Sequence, residues 1–470
     1  MGLGRQKRYL NLLLIVACHE CLAQDAIPLF KTKSDSAAYY SIQRAMRNHD
    51  PLSPKQVRMD SLWAVQQRII KTGIIGWKYT YQRDGSFVPL QDLLDGKIEP
   101  HDVKKLSVVN FNGRKLPDKL FDCIHLEELE LIQTRIEKMP RQLNHLSKLH
   151  SIEIYNNRPS RRLRLSRNHT VTFLKFRSDE PRKIPLDYKK FKALDSLDLS
   201  RNFLTEFPRI DQNKNLKQLV LSDNNLTLQN LKLRLNTTLL CLYVRRNKIE
   251  VLPDALGNLT ALKKLSFNYN EIGEVSDAIG RLQNLEELSF YQNKLTSIPK
   301  SFYQLKNLKV IDLYYNQIEK IEEPIVNLKK IEILYIANNR IHSLPENIGD
   351  LTNLRELYLH HNRISYFPAS FASLKSLRVL RLNDNYFAAF PDAILSLNNL
   401  ENLDISRNRL QTIPSGFGSY EKLQLLVMTE NPWEDKENIS AFATRMRSQG
   451  TQVHLNSIST EVEIITSPRN

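Results

Sequence analysis

The residues of this chain best suited to chemistry are aromatic, and they recur with a period. Tyr291 and Tyr314 stand 23 residues apart, as do Tyr335 and Tyr358. Around them gather Tyr243, Arg245, Arg246, Tyr269, Tyr315, His360 and His361. A tyrosine offers an apolar ring and a polar hydroxyl at low entropic cost, which is the chemistry of recognition rather than of bond breaking. The pair His360 and His361 invites a metal reading, but no carboxylate or third histidine stands in register with it.

The usual catalytic signatures are missing. No glycine-rich phosphate loop ending in Lys-Ser or Lys-Thr occurs, and the chain has only 14 glycines in all. His19-Glu20 does not continue into a zinc-protease motif, and no Gly-x-Ser-x-Gly elbow is found. The sequence therefore predicts a binding protein with no catalytic residues, no cofactor and no metal.

The elements that position the tyrosines can be read from the asparagines. From Leu194 the chain runs Leu-xx-Leu-x-Leu-xx-Asn-x-Leu-xx-Phe-Pro. The Asn place is filled by Asn202, Asn224, Asn247, Asn270, Asn293, Asn316, Asn339, Asn362, Asn385, Asn408 and Asn431, every step being 23 residues from Asn247 onward. Upstream the frame holds with other residues: Phe111, Thr134, Asn157 and Asp179. Fifteen repeats fit between residues 106 and 431. Leu-x-Leu has the period of a strand with one buried face. The apolar pairs that follow, such as Ile348 and Leu351 or Phe371 and Leu374, are three apart and suit a short 3-10 turn. One such coil cannot bury its own leucines, whereas a stack can.

The pattern resembles the leucine-rich-repeat family over roughly two-thirds of the chain. The resemblance implies an α/β solenoid, with a curved parallel sheet on the concave face and short helical or 3-10 turns on the convex face. It also implies that each buried Asn amide bonds backbone groups of neighbouring coils. The x residues of Leu-x-Leu-xx then face outward, and all eleven residues named above fall on one concave arc about six strands, or roughly 24 Å, across. They are the expected partner-binding residues, with their rings in solvent. A protein or peptide is the expected partner. An acidic glycan or anionic surface is the alternative, since arginines edge the arc and the net charge is +16. Nucleic acid fits less well, because the basic run Arg158, Arg161, Arg162, Arg164, Arg167, Lys175, Arg177, Arg182 and Lys183 is placed mostly on the convex return.

Terminal coils need caps. Residues 24–105 read as a small α+β N-terminal cap. Leu62, Val65 and Ile69 share a helix face there, Ile75, Trp77, Tyr79 and Tyr81 alternate as a strand, and Arg83-Asp84-Gly85 reads as a hairpin turn. Residues 432–455 read as a C-terminal capping helix carrying Ile439, Phe442 and Met446 on one side, with a tail at 456–470.

Arg5, Lys7 and Arg8 followed by the apolar run 10–17 read as an export signal over residues 1–23, too short to span a bilayer. Cleavage after Ala23 and lipidation of Cys18 in Ile-Val-Ala-Cys are the two alternatives. The protein is thus expected to be secreted, periplasmic or at the cell surface, touching a membrane only through a lipid anchor. Cys123 and Cys241 lie about five repeats, or roughly 24 Å, apart and cannot pair. The lack of cysteine-rich caps and of Gly-x-Ile-Pro repeats points, within the resemblance, to a bacterial exported type. The sequons at Asn168, Asn225, Asn236, Asn258 and Asn438 are then accidental.

Overall fold

The computed structural model describes residues 26–30, 74–79, 86–158, 163–179, 186–417 and 420–455. The chain divides into two compact units, Met1–Val88 and Pro89–Asn470. In the first, Ala26–Phe30 pairs antiparallel with Ile74–Tyr79. The alternation at Ile75, Trp77 and Tyr79 does make a strand, but its described partner precedes it rather than following the turn at Arg83-Asp84-Gly85. The helix face at Leu62, Val65 and Ile69 lies outside the described residues, as does the export segment with Cys18.

The second unit is the solenoid. Its fifteen repeat strands pair in parallel and in chain order, from Lys105–Val109 to Leu425–Val427, each with its sequence neighbour. The sheet is open and unbroken through the weak repeats: Ser151–Tyr155 pairs with Phe173–Arg177, which pairs with Ser196–Asp198. Equivalent leucines stand opposite one another, so Leu265, Leu288, Ile311, Leu334, Leu357 and Leu380 form one buried column. A second column runs through Phe267, Phe290, Leu313, Ile336 and Leu359. Burying a side chain of this size contributes roughly 1.5–3 kcal/mol, which is why the two large apolar residues flanking each outward one are kept so strictly.

The return is a 3-10 turn in most coils, for example Lys300–Gln304, Ala369–Ser373 and Asp392–Ser396. Pro299, Pro368 and Pro391 precede these turns in extended backbone and fix their start. Five residues are too few for a stable α-helix, so the tighter helix is used, with Phe302, Phe371 and Ile394 pointing into the core.

The C-terminal end is covered by the α-helix Lys436–Ser448. The Asp435 carboxylate accepts from the Asn438 N–H at 2.8 Å, and Ile439, Phe442, Ala443 and Met446 are buried. The strand Gln452–His454 then adds one further row to the sheet. That strand has a single buried apolar residue, Val453, so it leaves no periodic signal. Cys123 and Cys241 are free thiols, and burial pushes the Cys123 thiol up to about 11.

Candidate functional site: the concave tyrosine arc

The asparagine ladder holds the site in place. Asn316 shows the pattern: its Nδ2 donates to the carbonyls of Phe290 (2.9 Å), Leu313 (3.0 Å) and Tyr314 (3.4 Å), while its Oδ1 accepts from the Leu295 N–H at 3.0 Å. The same set recurs at Asn270, Asn293, Asn362 and Asn385. Each coil is thereby tied to the one before it, through groups that would be costly to bury unpaired.

The residue just before each ladder asparagine has a left-handed backbone. The φ angles are 51° at Arg246, 58° at Tyr269, 55° at Gln292, 56° at Tyr315 and 52° at His361. No glycine marks these places, so the sequence gives no sign of them. The conformation costs about 1–2 kcal/mol per residue. It is held because the N–H still reaches the next coil, as from Tyr269 to the Tyr291 carbonyl at 2.8 Å and from His361 to the Asn383 carbonyl at 2.9 Å. The consequence for the site is that Tyr269, Tyr315 and His361 bend toward the column beside them.

The rings do not stand singly in solvent, which corrects the sequence expectation. Tyr291 is 8% exposed and Tyr335 9%. Tyr291 lies against Tyr269 (5.1 Å between centroids), Tyr314 (5.5 Å) and Tyr315 (5.7 Å), and Tyr335 stacks on Tyr358 at 4.6 Å. Adjacent parallel strands are about 4.8 Å apart, so aromatic neighbours in one column must touch. Tyr314 is half-buried and reaches His360, its Oη 2.7 Å from Nε2. Burial pushes the Tyr291, Tyr335 and Tyr358 hydroxyls well above their usual range and holds His360 well below its own, with His361, Arg381 and Arg407 adding to the latter effect.

Polar networks edge the arc on both sides. Toward the N-terminus, Arg245 lies over the Tyr243 ring at 5.4 Å and donates to Ser266 Oγ at 3.0 Å. Arg246 lies over Tyr269 at 5.0 Å and 3.4 Å from Asp223. Ser289 Oγ sits between Asn268 and Asp312, 2.7 Å from the latter's Oδ2. Burial raises the Asp312 carboxyl to about 6 despite that contact and the Tyr314 N–H at 3.1 Å. Toward the C-terminus, Arg381 pairs with Asp404 at 3.2 Å, and Asp384 meets both Arg407 (2.7 Å) and His361 (3.5 Å), so a carboxylate does stand in register with the histidine pair, contrary to the sequence expectation.

All eleven expected residues therefore share one surface, with Tyr243, Arg245 and Arg246 at one end and His360 and His361 at the other. Sequence reasoning missed the strand column one step earlier, which faces the same way by parity. It contains Lys264, Glu287, Val310, Ile333, Glu356 and Val379, and the half-buried Val310, Ile333 and Val379 make the centre of the arc aliphatic as well as aromatic. Tyr155 was also missed; Lys175 and Arg177 lie over its ring at 5.3 and 5.9 Å. Those two cations belong to the concave strand Phe173–Arg177 and pair with Glu153 (3.1 Å) and Asp198 (3.8 Å), so part of the basic run is neither convex nor unneutralised. Arg161, Arg162, Arg182 and Lys183 lie outside the described residues. Among the described residues no group of three His, Cys, Asp or Glu side chains could hold a metal ion, and no helix is long and apolar enough to cross a membrane.

Comparison with known proteins agrees with this geometry. Residues 260–318, 283–341, 329–387 and 376–432 match the leucine rich repeat family. No curated protein sequence matches the chain. Among solved structures, a leucine-rich-repeat protein of Leptospira interrogans superposes with a TM-score of 0.60 at 26% identity, over 78% of this chain and 99% of that one. A plant peptide hormone receptor, solved in complex with RGF2, gives a TM-score of 0.52 at 25% identity, over 76% of this chain and 62% of that one. A chain of the Drosophila Toll–Spatzle complex gives 0.58 at 21% identity, over 70% and 51%, a likeness of fold alone. By its repeat and its sheet the second unit is a leucine-rich-repeat solenoid, and residues 260–432 of it match that family.

Proposed function

We propose that this protein is a non-enzymatic scaffold that binds a protein or peptide partner on the concave face of repeats seven to twelve. One observation carries the reading. Tyr269, Tyr291 and Tyr314 touch in turn, His360 links Tyr314 to Tyr358, and Tyr358 stacks on Tyr335, so the rings form one continuous surface where the fold requires no aromatic residue. Ion pairs bound that surface at both ends, which resembles an interface with an apolar centre and a polar rim. The likeness to a plant peptide hormone receptor supports the same reading. Carbohydrate stacking needs an open ring face, and the contact of Tyr335 with Tyr358 at 4.6 Å leaves little of one, so a glycan partner is the weaker alternative. Hydroxyl-radical footprinting of a captured complex tests the proposal. Labelling of Tyr269, Tyr315 and His361 should fall several-fold on partner binding, while exposed Phe203 and Leu235 keep theirs. Unchanged labelling across the arc would remove this site from consideration.

We further propose that the protein works outside the cytoplasm, as a secreted, periplasmic or cell-surface protein. The support is the order of basic residues Arg5, Lys7 and Arg8 before the apolar run 10–17. Mass spectrometry of the exported fraction should find a lipidated Cys18 or a free N-terminus at Gln24. An intact Met1 on cytoplasmic protein would contradict it.

A further inference from the structure

The residue that follows each ladder asparagine lies on a rim where the chain leaves the concave sheet. From repeat seven on, this row reads Lys248, Glu271, Lys294, Gln317, Arg340, Arg363, Tyr386 and Arg409. Its first half holds a counter-charge of its own, Lys294 lying 2.6 Å from Glu271. Its second half does not. Arg340, Arg363, Tyr386 and Arg409 are all exposed, and the only ion pair the three arginines make among the described residues is that of Arg340 with Glu319, at 3.9 Å. Arg363 has no ion pair there. Arg409 lies 4.8 Å over the Tyr386 ring, which is 45% exposed. The exposed His342 stands two residues past Arg340.

We propose that this rim of repeats eleven to fourteen binds a short acidic peptide segment of the partner, running along the solenoid axis. The proposal rests on the concave-face reading above, because the rim borders that face. Three features select the ligand. Guanidinium groups bind carboxylates through paired hydrogen bonds, and three are available here. Coils are about 4.8 Å apart, so the row from Arg340 to Arg409 spans roughly 14 Å, the length of four or five extended residues. Exposed Glu319 and Glu434 flank the row at its two ends. A long polyanion would run onto them, whereas a short acidic run would not.

The test uses the full chain and a fluorescent hexaglutamate peptide, read by anisotropy at low salt. Binding should weaken about tenfold or more in Arg363→Glu with Arg409→Glu, and should fade as ionic strength rises. A charge-matched control, Arg164→Glu with Arg167→Glu, should bind like wild type. Arg363→Gln with Arg409→Gln should give an intermediate loss, and melting curves should show all variants folded. Equal binding by the rim variant and the control would overturn the proposal, as would no binding by wild type. A sulfated oligosaccharide that binds through the same arginines while hexaglutamate does not would also overturn it. Tyr269→Ala with Tyr315→Ala should leave hexaglutamate binding intact, so loss of the concave reading and loss of the rim are separately visible.

Discussion

Tyr314 Oη lies 2.7 Å from His360 Nε2 although the two residues are two coils apart. Ala337 makes this contact possible. It holds the intervening place in the column with a methyl group, fully buried beneath the bridge. The bridge leaves His360 Nδ1 buried without a hydrogen-bond partner. A neutral imidazole accepting at Nε2 carries its proton on Nδ1, so a donor is left unsatisfied on the binding face. Tyr314→Phe should then cost about 1–3 kcal/mol of stability, by orphaning Nε2 as well. Urea unfolding measures this, and an unchanged midpoint would show that the bridge contributes nothing.

The ladder is the structural counterpart of the arc. Asn316→Ala removes three donated bonds and one accepted bond; the Leu295 N–H loses its acceptor, while the Phe290 carbonyl keeps the Asn293 Nδ2 at 3.0 Å. A loss of about 1–3 kcal/mol is expected from the unpaired groups, with local fraying of neighbouring coils. Hydrogen exchange should quicken at the Leu295 amide; unaltered exchange there would contradict the assigned bond.

Asp312 predicts a pH dependence with a definite sign. Burial raises its carboxyl from 3.8 to about 6, so the folded state holds the proton more tightly than the unfolded chain. Stability from this group is therefore full below about pH 4 and is lost as pH rises through about 6, amounting to about 3 kcal/mol in all. His360 acts in the opposite sense, since its lowered value costs stability as pH falls below its ordinary 6.5. The difference between wild type and Asp312→Asn isolates the first effect. Wild type should lose stability relative to the variant between pH 4 and 6, and a parallel pair of curves would rule the effect out.

The convex face is packed backbone to backbone. A Cβ on Gly349 would lie 1.9 Å from the Ser370 carbonyl oxygen, which cannot yield without moving the next coil. One on Gly273 would come no closer than 4.0 Å to its neighbour. Gly349→Ala should cost on the order of 1–3 kcal/mol, and Gly273→Ala almost nothing. Thermal melts of the two variants decide this, and similar melting points would contradict the close approach.

Much of this architecture was legible because one residue type repeats a physical necessity. The asparagines from Asn202 to Asn431 mark where a buried turn needs its backbone groups satisfied, and the leucines mark which face is buried. Parity then gave the concave position of Tyr243, Arg245, Tyr291, Tyr314, Tyr335, Tyr358 and His360, while Arg246, Tyr269, Tyr315 and His361 sit at the left-handed turn that ends each strand. What parity could not give was contact. It places Tyr291 and Tyr314 facing outward without saying that rings about 5 Å apart will bury one another. Nor could it show Tyr314 reaching past Ala337, since that depends on a small residue in the next coil. The left-handed backbone at Tyr269, Tyr315 and His361 was hidden because no glycine stands there. Val310 and Ile333 were overlooked because apolar residues beside a leucine look like core.

The central claim is that the concave arc binds the partner, and a titration tests it most directly. The captured partner should be titrated against wild type, against Tyr269→Ala with Tyr315→Ala, and against the convex pair Lys300→Ala with Gln304→Ala, with melting curves to confirm folding. The concave variant should bind more weakly by on the order of 2 kcal/mol, or about thirtyfold, and the convex variant like wild type. Wild-type affinity in a folded concave variant would contradict the account.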